Sequence, residues 1–238
     1  MNRTLAVAAT LLASGVSLQV HAATATFIVS SPYASFADSP FAGIAAGNPL
    51  FFLEDFEDGA LNTPGASASA SLVTSAGNPS TDSVDGDDGV VDGSGTGGRS
   101  LYSNGATSIT FTFDANALGV LPTHVGIVWT DVGETLLPMP FGKDDVLVRA
   151  FDANGNSLGF AGADALGDGS FLGGTAEDVF FGAIFSGGIS KLTIVSLGGT
   201  GDWEVDHLQY GVQPIPVPGA ALLFGTALAG LAGFRRRL

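Results

Sequence analysis

The residues best suited to chemistry in this sequence are five aspartates in one glycine-rich stretch. They fall within eleven residues of one another: Asp82, Asp85, Asp87, Asp88 and Asp92. Calcium takes about six to eight oxygen ligands, and closely spaced carboxylates on a bent loop can supply several. The spacing is not that of an EF-hand, which needs a carboxylate at every second position. Two interpretations stay open: a calcium site with ligands Asp85, Asp87, Asp88 and Asp92, or a solvated acidic loop.

A second set of acidic residues stands near the two limits of the middle region. Residues 54–59 read EDFEDG, while Glu204 and Asp206 stand two apart in a predicted strand and share one face. The opening FE-D-G and the closing D-x-L-x-x-G resemble galactose-binding-like jelly-roll domains, whose first and last strands often meet beside a structural calcium. That resemblance implies Glu57 and Asp206 as further calcium ligands. The alternative is that both are surface carboxylates on edge strands.

Two tryptophans are the candidates for binding a ligand. Trp129 and Trp203 can stack on sugar rings if their faces are exposed, although aromatic rings on strands also dominate protein cores. His124 and His207 are isolated in the sequence, and we expect packed or surface histidines rather than catalysts. The sequence thus names two possible ligand-binding residues, with the core as the alternative place for both.

No catalytic residue is predicted. The sequence contains no cysteine, which excludes a thiolate nucleophile, a disulfide framework and a cysteine zinc site. It has no G-x-S-x-G elbow, no H-E-x-x-H and no P-loop. Gly93, Gly95 and Gly98 spell G-x-G-x-x-G, but the strand-to-helix context of a nucleotide site is missing. A carboxylate pair for glycoside hydrolysis stays open, because its separation depends on the fold.

The charge of the chain is one-sided. Of the 8 basic residues, four lie in the terminal segments, so four remain in the middle against all 23 acidic ones, a balance of 4 − 23 = −19. Such a surface repels phosphate backbones, which excludes nucleic acid as an expected partner.

The elements between the two ends are predicted to be strands. Alternating or apolar runs bounded by turn residues occur at Ser108–Phe113, His124–Thr130, Asp145–Asp152, Val179–Phe185, Lys191–Ser196 and Trp203–Tyr210. Strands without intervening helices favour an all-β fold. We therefore predict an antiparallel two-sheet sandwich, a jelly roll, over residues 26–212, with residues 60–108 as its longest loop region.

The N-terminus has the pattern of a secretory signal peptide, predicted over residues 1–25. Arg3 precedes the apolar run of residues 5–20, and small residues follow in Val20–Ala22 and Ala23–Ala25. Cleavage after Ala22 or Ala23 is expected. An uncleaved N-terminal anchor is the alternative.

The C-terminus, residues 213–238, combines three features. Pro216, Val217 and Pro218 lie in a proline-rich spacer, residues 219–234 form an uncharged apolar stretch, and Arg235, Arg236 and Arg237 follow. Sixteen residues make a helix of about 24 Å, which snorkelling arginines and local thinning let span a bilayer of about 30 Å. The arginine cluster orients this transmembrane helix with its last residues in the cytoplasm.

The order of these three features resembles the PEP-CTERM sorting signal of Gram-negative bacteria. Members of that family are exported and processed by an exosortase, often in species that make extracellular polysaccharide. This sequence has Pro216-Val217-Pro218 where the namesake motif has Pro-Glu-Pro. A plain membrane anchor is the alternative. The sequence therefore predicts a non-catalytic protein of the cell surface or matrix, with a calcium-assisted carbohydrate-binding module and a polysaccharide hydrolase as alternatives.

Overall fold

The computed structural model describes residues 24–30, 33–75, 81–84, 98–130, 144–166, 178–197 and 203–213. Several predictions made from the sequence lie outside these residues: the signal peptide up to residue 23, the sorting residues 216–218 and 235–237, the apolar stretch 219–234, and Asp85, Asp87, Asp88 and Asp92. In the described segments, no helix has the length and apolar character needed to cross a membrane.

The regular secondary structure of the described residues is mostly β-strand. These are β1 (Thr26–Ser30), β2 (Phe51–Glu54), β3 (Ala66–Ala68), β4 (Leu72–Val73), β5 (Leu101–Tyr102), β6 (Ser108–Phe113), β7 (His124–Trp129), β8 (Asp144–Phe151), β9 (Ser157–Leu166), β10 (Val179–Ile184), β11 (Lys191–Ser196) and β12 (Glu204–Gly211). The short helices are α1 (Ala42–Ala45), α2 (Ala115–Leu118) and a 3-10 turn at Phe36–Asp38. The predicted runs agree with β6, β7, β8, β10, β11 and β12 to within one residue at each end.

The strands form two antiparallel sheets, which confirms the predicted all-β sandwich. Sheet A has the order β1-β10-β7-β12-β5-β4, with β2 also paired to β12, and sheet B has the order β3-β6-β11-β8-β9. Four of the pairings are nested: β2 with β12, β6 with β11, β7 with β10, and β8 with β9. Strands that are far apart in sequence therefore lie side by side.

The core lies between the sheets and follows the period of two that strands impose. In β6, Ile109, Phe111 and Phe113 are buried while the residues between them are only half-buried. The inward side chains of β7 and β12 meet them across the sandwich, among them Ile127 and Tyr210.

A second, smaller apolar layer covers the outer face of sheet A. Tyr33, Phe41 and Val84, which come from loops, pack there against Val128 and Phe180. The ring of Phe180 stacks on that of Tyr33 at 6.1 Å and meets Phe41 edge-on at 5.3 Å. Because of this layer, β7 and β12 are buried on both faces.

Two glycines make room for the ring at the centre of this layer. Gly126 and Gly182 are paired across β7 and β10. A Cβ atom added to Gly126 would lie 2.2 Å from Cζ of Phe180, and one added to Gly182 would lie 2.8 Å from its Cε1. The phenyl ring therefore occupies space that any other residue at these positions would fill.

We expect Gly126→Ala to displace Phe180 and to lower the free energy of unfolding by about 1–3 kcal/mol, the usual cost of overpacking. Gly43→Ala is the matched control, since Gly43 is exposed in α1 and its added Cβ would meet nothing within 4 Å. Urea denaturation followed by tryptophan fluorescence measures both. Equal stability of the two variants would contradict this account of the outer layer.

Candidate functional site

The last strand of sheet A contains an irregularity around which the candidate site is built. On one side β12 pairs with β7, and the register shifts between Asp206 and Gln209. On its other side, β5 pairs with Glu204 and Val205, whereas β2 begins to pair only at Leu208. His207 has a φ of 47°, a left-handed conformation that non-glycine residues rarely adopt. The strand thus bulges where its neighbouring strands leave a gap.

Asp206 is completely buried at this bulge and accepts hydrogen bonds from its surroundings. Its Oδ2 accepts from the backbone N–H of Val84 at 2.9 Å and from the hydroxyl of Ser83 at 3.0 Å. Its Oδ1 accepts from the backbone N–H of His207 at 2.6 Å. These donors stabilise the ionised carboxylate in a place where bulk water cannot.

Glu204 is the second buried carboxyl group of β12. Its Oε2 accepts from the hydroxyl of Ser100 at 2.6 Å and from the backbone N–H of Asp82 at 2.9 Å. Burial raises the pKa of Glu204 to about 7, against the opposing effect of these two donors, and the charge of Asp206 adds to the rise. Glu204 therefore changes its charge near neutral pH.

Glu57 approaches the same place from the loop that follows β2. Its Oε1 accepts from the backbone N–H of Arg99 at 2.5 Å and from the hydroxyl of Ser83 at 3.4 Å. Ser83 therefore lies between Glu57 and Asp206, the two residues that the jelly-roll resemblance implied as calcium ligands. Glu57 is half-buried, so one side of this cluster is open to solvent.

The segment of residues 81–84 closes the cluster from outside. All four of its residues are buried, and the backbone carbonyl of Asp82 accepts from the hydroxyl of Thr130 at 3.2 Å. The backbone N–H groups of Asp82 and Val84 donate to the side chains of Glu204 and Asp206 respectively. The start of the acidic loop is thus fixed to β12, immediately before Asp85.

The oxygens of this cluster bear on the predicted calcium site. In the part of the chain that the structure describes, no three His, Asp or Glu side chains are grouped so that they could hold a metal ion. The described oxygens of Asp206 and Glu204 already accept protein hydrogen bonds, so these residues do not by themselves provide the six to eight ligands, roughly, that calcium takes. Calcium binding by Asp85, Asp87, Asp88 and Asp92, with Glu57 and Asp206, stays a prediction.

Both tryptophans belong to the core. Trp129 and Trp203 are 0 % exposed, and both pack in the layer between the two sheets. The indole N–H of Trp203 donates to the carbonyl of Ala106 at 2.8 Å. Neither ring has an open face on which a sugar can stack, so the ligand-binding assignment of Trp129 and Trp203 is replaced by a structural one.

A polar network on the outer face of β12 was missed at the level of sequence. Nδ1 of His207 lies 3.0 Å from the hydroxyl of Tyr33, which also accepts from Nε2 of Gln209 at 2.8 Å. Ser39 in turn donates to the side-chain carbonyl of Gln209. The sequence did contain a signal for the bulge. Val205 and Leu208 both face the core although they stand three residues apart, whereas residues on one face of a regular strand stand an even number of residues apart.

Comparisons with known proteins place no relative beside this chain: no family model, no curated protein and no solved structure matches it.

We expect Glu204→Gln to change how stability depends on pH. The pKa of Glu204 is raised from 4.5 to about 7 in the folded state, so its contribution to stability is present below about pH 4.5 and is lost as the pH rises through about 7. The glutamine variant should therefore gain on the parent protein by up to about 3 kcal/mol between about pH 5 and about pH 8.5, since each tenfold change in proton affinity is worth about 1.4 kcal/mol.

Urea unfolding in EDTA at both pH values measures this difference. EDTA keeps any bound cation from altering the titration of the cluster. A difference between the two proteins that is the same at both pH values would contradict the burial argument.

We expect calcium to raise the melting temperature of the full chain in detergent if the acidic loop binds it. A ligand at about 100 times its dissociation constant stabilises the folded state by about 2.7 kcal/mol. Asp85→Asn combined with Asp87→Asn should abolish the rise, while Asp164→Asn, an exposed residue of β9, should keep it. The buried tryptophans report the melting by fluorescence in EDTA and in millimolar calcium. An unchanged melting temperature would leave a solvated acidic loop.

Proposed function

We propose that the chain is an exported, non-catalytic protein of the cell surface or extracellular matrix, sorted by its PEP-CTERM-like tail. The observation that carries this proposal is where the sandwich begins and ends. β1 pairs with β10 from Thr26 onward, and β12 pairs with β2 and β7 as far as Gly211. The signal peptide and the tail thus flank a domain whose first and last strands, β1 and β12, are both hydrogen-bonded to other strands of sheet A.

The N-terminal boundary supports removal of the signal peptide. Ala25 is buried, and its backbone N–H donates to the carbonyl of Leu158 at 2.9 Å. Cleavage after Ala22 or Ala23 keeps Ala25 and its hydrogen bond in the mature chain.

The C-terminal boundary supports a separate tail. The backbone N–H of Gln213 donates to the hydroxyl of Thr123 at 3.0 Å, and the proline-rich spacer follows directly. The apolar helix of residues 219–234 holds the chain in the membrane, with Arg235–Arg237 on the cytoplasmic side. An exosortase-type enzyme, which reads Pro216–Pro218 and the arginines, is the proposed processing partner.

The finer fold that we propose is a jelly roll. In that fold, eight strands form two Greek keys across two sheets. The nested pairs β2–β12, β6–β11, β7–β10 and β8–β9 support it, since the first of these eight strands pairs with the last and each following pair lies inside the previous one.

The burial of Asp206 and Glu204 favours a binding or structural role over catalysis. Asp206 is 0 % exposed and Glu204 is 3 % exposed, and both accept hydrogen bonds from segments that cover them. A substrate would have to displace residues 81–84 to reach either group. If the domain contacts extracellular polysaccharide, it does so without stacking on Trp129 or Trp203.

We expect deletion of residues 216–238 to release the domain into the medium, because the anchor and the sorting motif are then both absent. Val217→Glu in the full chain is the matched control, since it restores the namesake Pro-Glu-Pro and should keep the protein sorted. Immunoblots of envelope and medium fractions measure the distribution of each variant. Retention of the truncated chain in the envelope would refute tail-dependent anchoring.

A further inference from the structure

One end of sheet A carries both ends of the sandwich domain. Thr26 of β1 pairs with Ile184, Ile184 pairs with His124, and His124 pairs with Gly211 of β12. These four residues therefore form one row across four adjacent strands. Three strand spacings of about 4.8 Å place Thr26 and Gly211 about 14 Å apart.

The directions of the two strands determine where the chain leaves. β1 starts at this row and runs away from it, whereas β12 runs toward the row and stops there. The residues before Thr26 and those after Gly211 therefore emerge at the same end of the sheet. We call this the terminal end, defined by Thr26, Ile184, His124 and Gly211.

The terminal end exposes apolar side chains. Leu50 directly precedes Phe51, the residue of β2 that pairs with Gly211, and is 44 % exposed. Val120, which precedes β7, is 46 % exposed. They surround a shallow depression lined also by Leu118, Pro122, Tyr210 and Val212. Its enclosed volume is about 10 Å³, room for about one water molecule, so these residues form a surface and not a ligand cavity.

The opposite end of sheet A, which we call the acidic end, contains three buried carboxyl groups. Glu204 and Asp178 lie there, and Asp82 is bound to Glu204. The row of Leu72, Tyr102 and Glu204 stands about six residues along β12 from Gly211, which is about 20 Å. The exposed side chains of Leu72 and Leu197 also lie at this end, so the two ends are distinguished by where the chain leaves the sheet and not by apolar exposure.

The length of the spacer limits the distance between the sandwich and the anchor. Five residues, 214–218, separate Gln213 from the apolar stretch that begins at Gly219. An extended or polyproline chain of this length spans about 20 Å at most. Such a tether holds the terminal end close to the membrane and cannot bring the acidic end to it without inverting the domain.

We propose that the terminal end faces the lipid bilayer, with Leu50 and Val120 at the lipid surface and the acidic end directed away from it. This orientation rests on the proposed function, since it requires the tail to be inserted in the membrane. It assigns Leu50 and Val120 a partner, the interfacial layer of the bilayer.

The test uses the absence of cysteine, which lets one introduced thiol be labelled at a time. Leu50→Cys and Leu72→Cys form a matched pair, because Leu50 and Leu72 are 44 % and 48 % exposed and lie at opposite ends of sheet A. Each full-length variant carries a fluorophore and is reconstituted into liposomes with spin-labelled headgroups. We expect the label at residue 50 to be quenched at least about threefold more than that at residue 72, since a spin label quenches only at close approach and the two positions lie about 20 Å apart along the sheet.

A second pair guards against a variant that does not fold. Val120→Cys lies at the terminal end, and Leu197→Cys, 58 % exposed, follows β11 at the opposite end, next to Asp145. Equal quenching within both pairs, in protein that floats with the liposomes, would overturn the orientation and leave the anchoring intact. Protein that does not float with the liposomes would overturn both the anchoring and the orientation.

Discussion

The structure depends on how β12 carries two carboxyl groups into the interior of the protein. Burying an ionised carboxylate without hydrogen-bond donors carries a large free-energy cost. Each of the two groups therefore requires donors in the folded protein. Asp206 finds them in residues 83 and 84 and in its own bulge, and Glu204 finds them in residues 82 and 100. Two segments that are more than a hundred residues away in sequence are thereby held against the last strand.

The bulge lets β12 present apolar residues to the core both before and after Asp206, which a regular strand with this sequence could not do. Val205, Leu208 and Tyr210 all belong to the core between the sheets, although the first two are an odd number of residues apart. The extra residue restores the inward face after Asp206 and places His207 beside Tyr33 on the outer side. Its strained φ is offset by the hydrogen bonds around it, so the covering loops and the irregular strand depend on each other.

The sequence predicted those parts of the fold in which each strand has one buried face. β6 and β11 were placed to the residue because their alternation reports the core directly. The outer layer was not foreseen, since Tyr33, Phe41 and Val84 lie in loops without periodicity. The burial of Trp129 and Trp203 was undecided for a different reason, since a ring on a strand has the same sequence whether it faces the other sheet or the solvent. The contacts of Ser83 with Glu57 and Asp206 and the donors to Glu204 depend on a loop path that no local pattern specifies.

The nested pairing gives the domain two different ends, and this difference follows from topology before any side chain is considered. Because the first of the nested strands, β2, pairs with the last, β12, the nested part of the chain begins and ends on neighbouring strands of sheet A. The additional strand β1 belongs to the same sheet and begins at the same end of it. The loop of residues 74–100 returns to the sheet near its other end, where the carboxylates of β12 hold it. In the proposed anchored state, residues 81–84 therefore lie at the end that faces the medium, about 20 Å along β12 from Gly211. Such a separation lets one end of the sandwich serve attachment while the other end stays away from the bilayer.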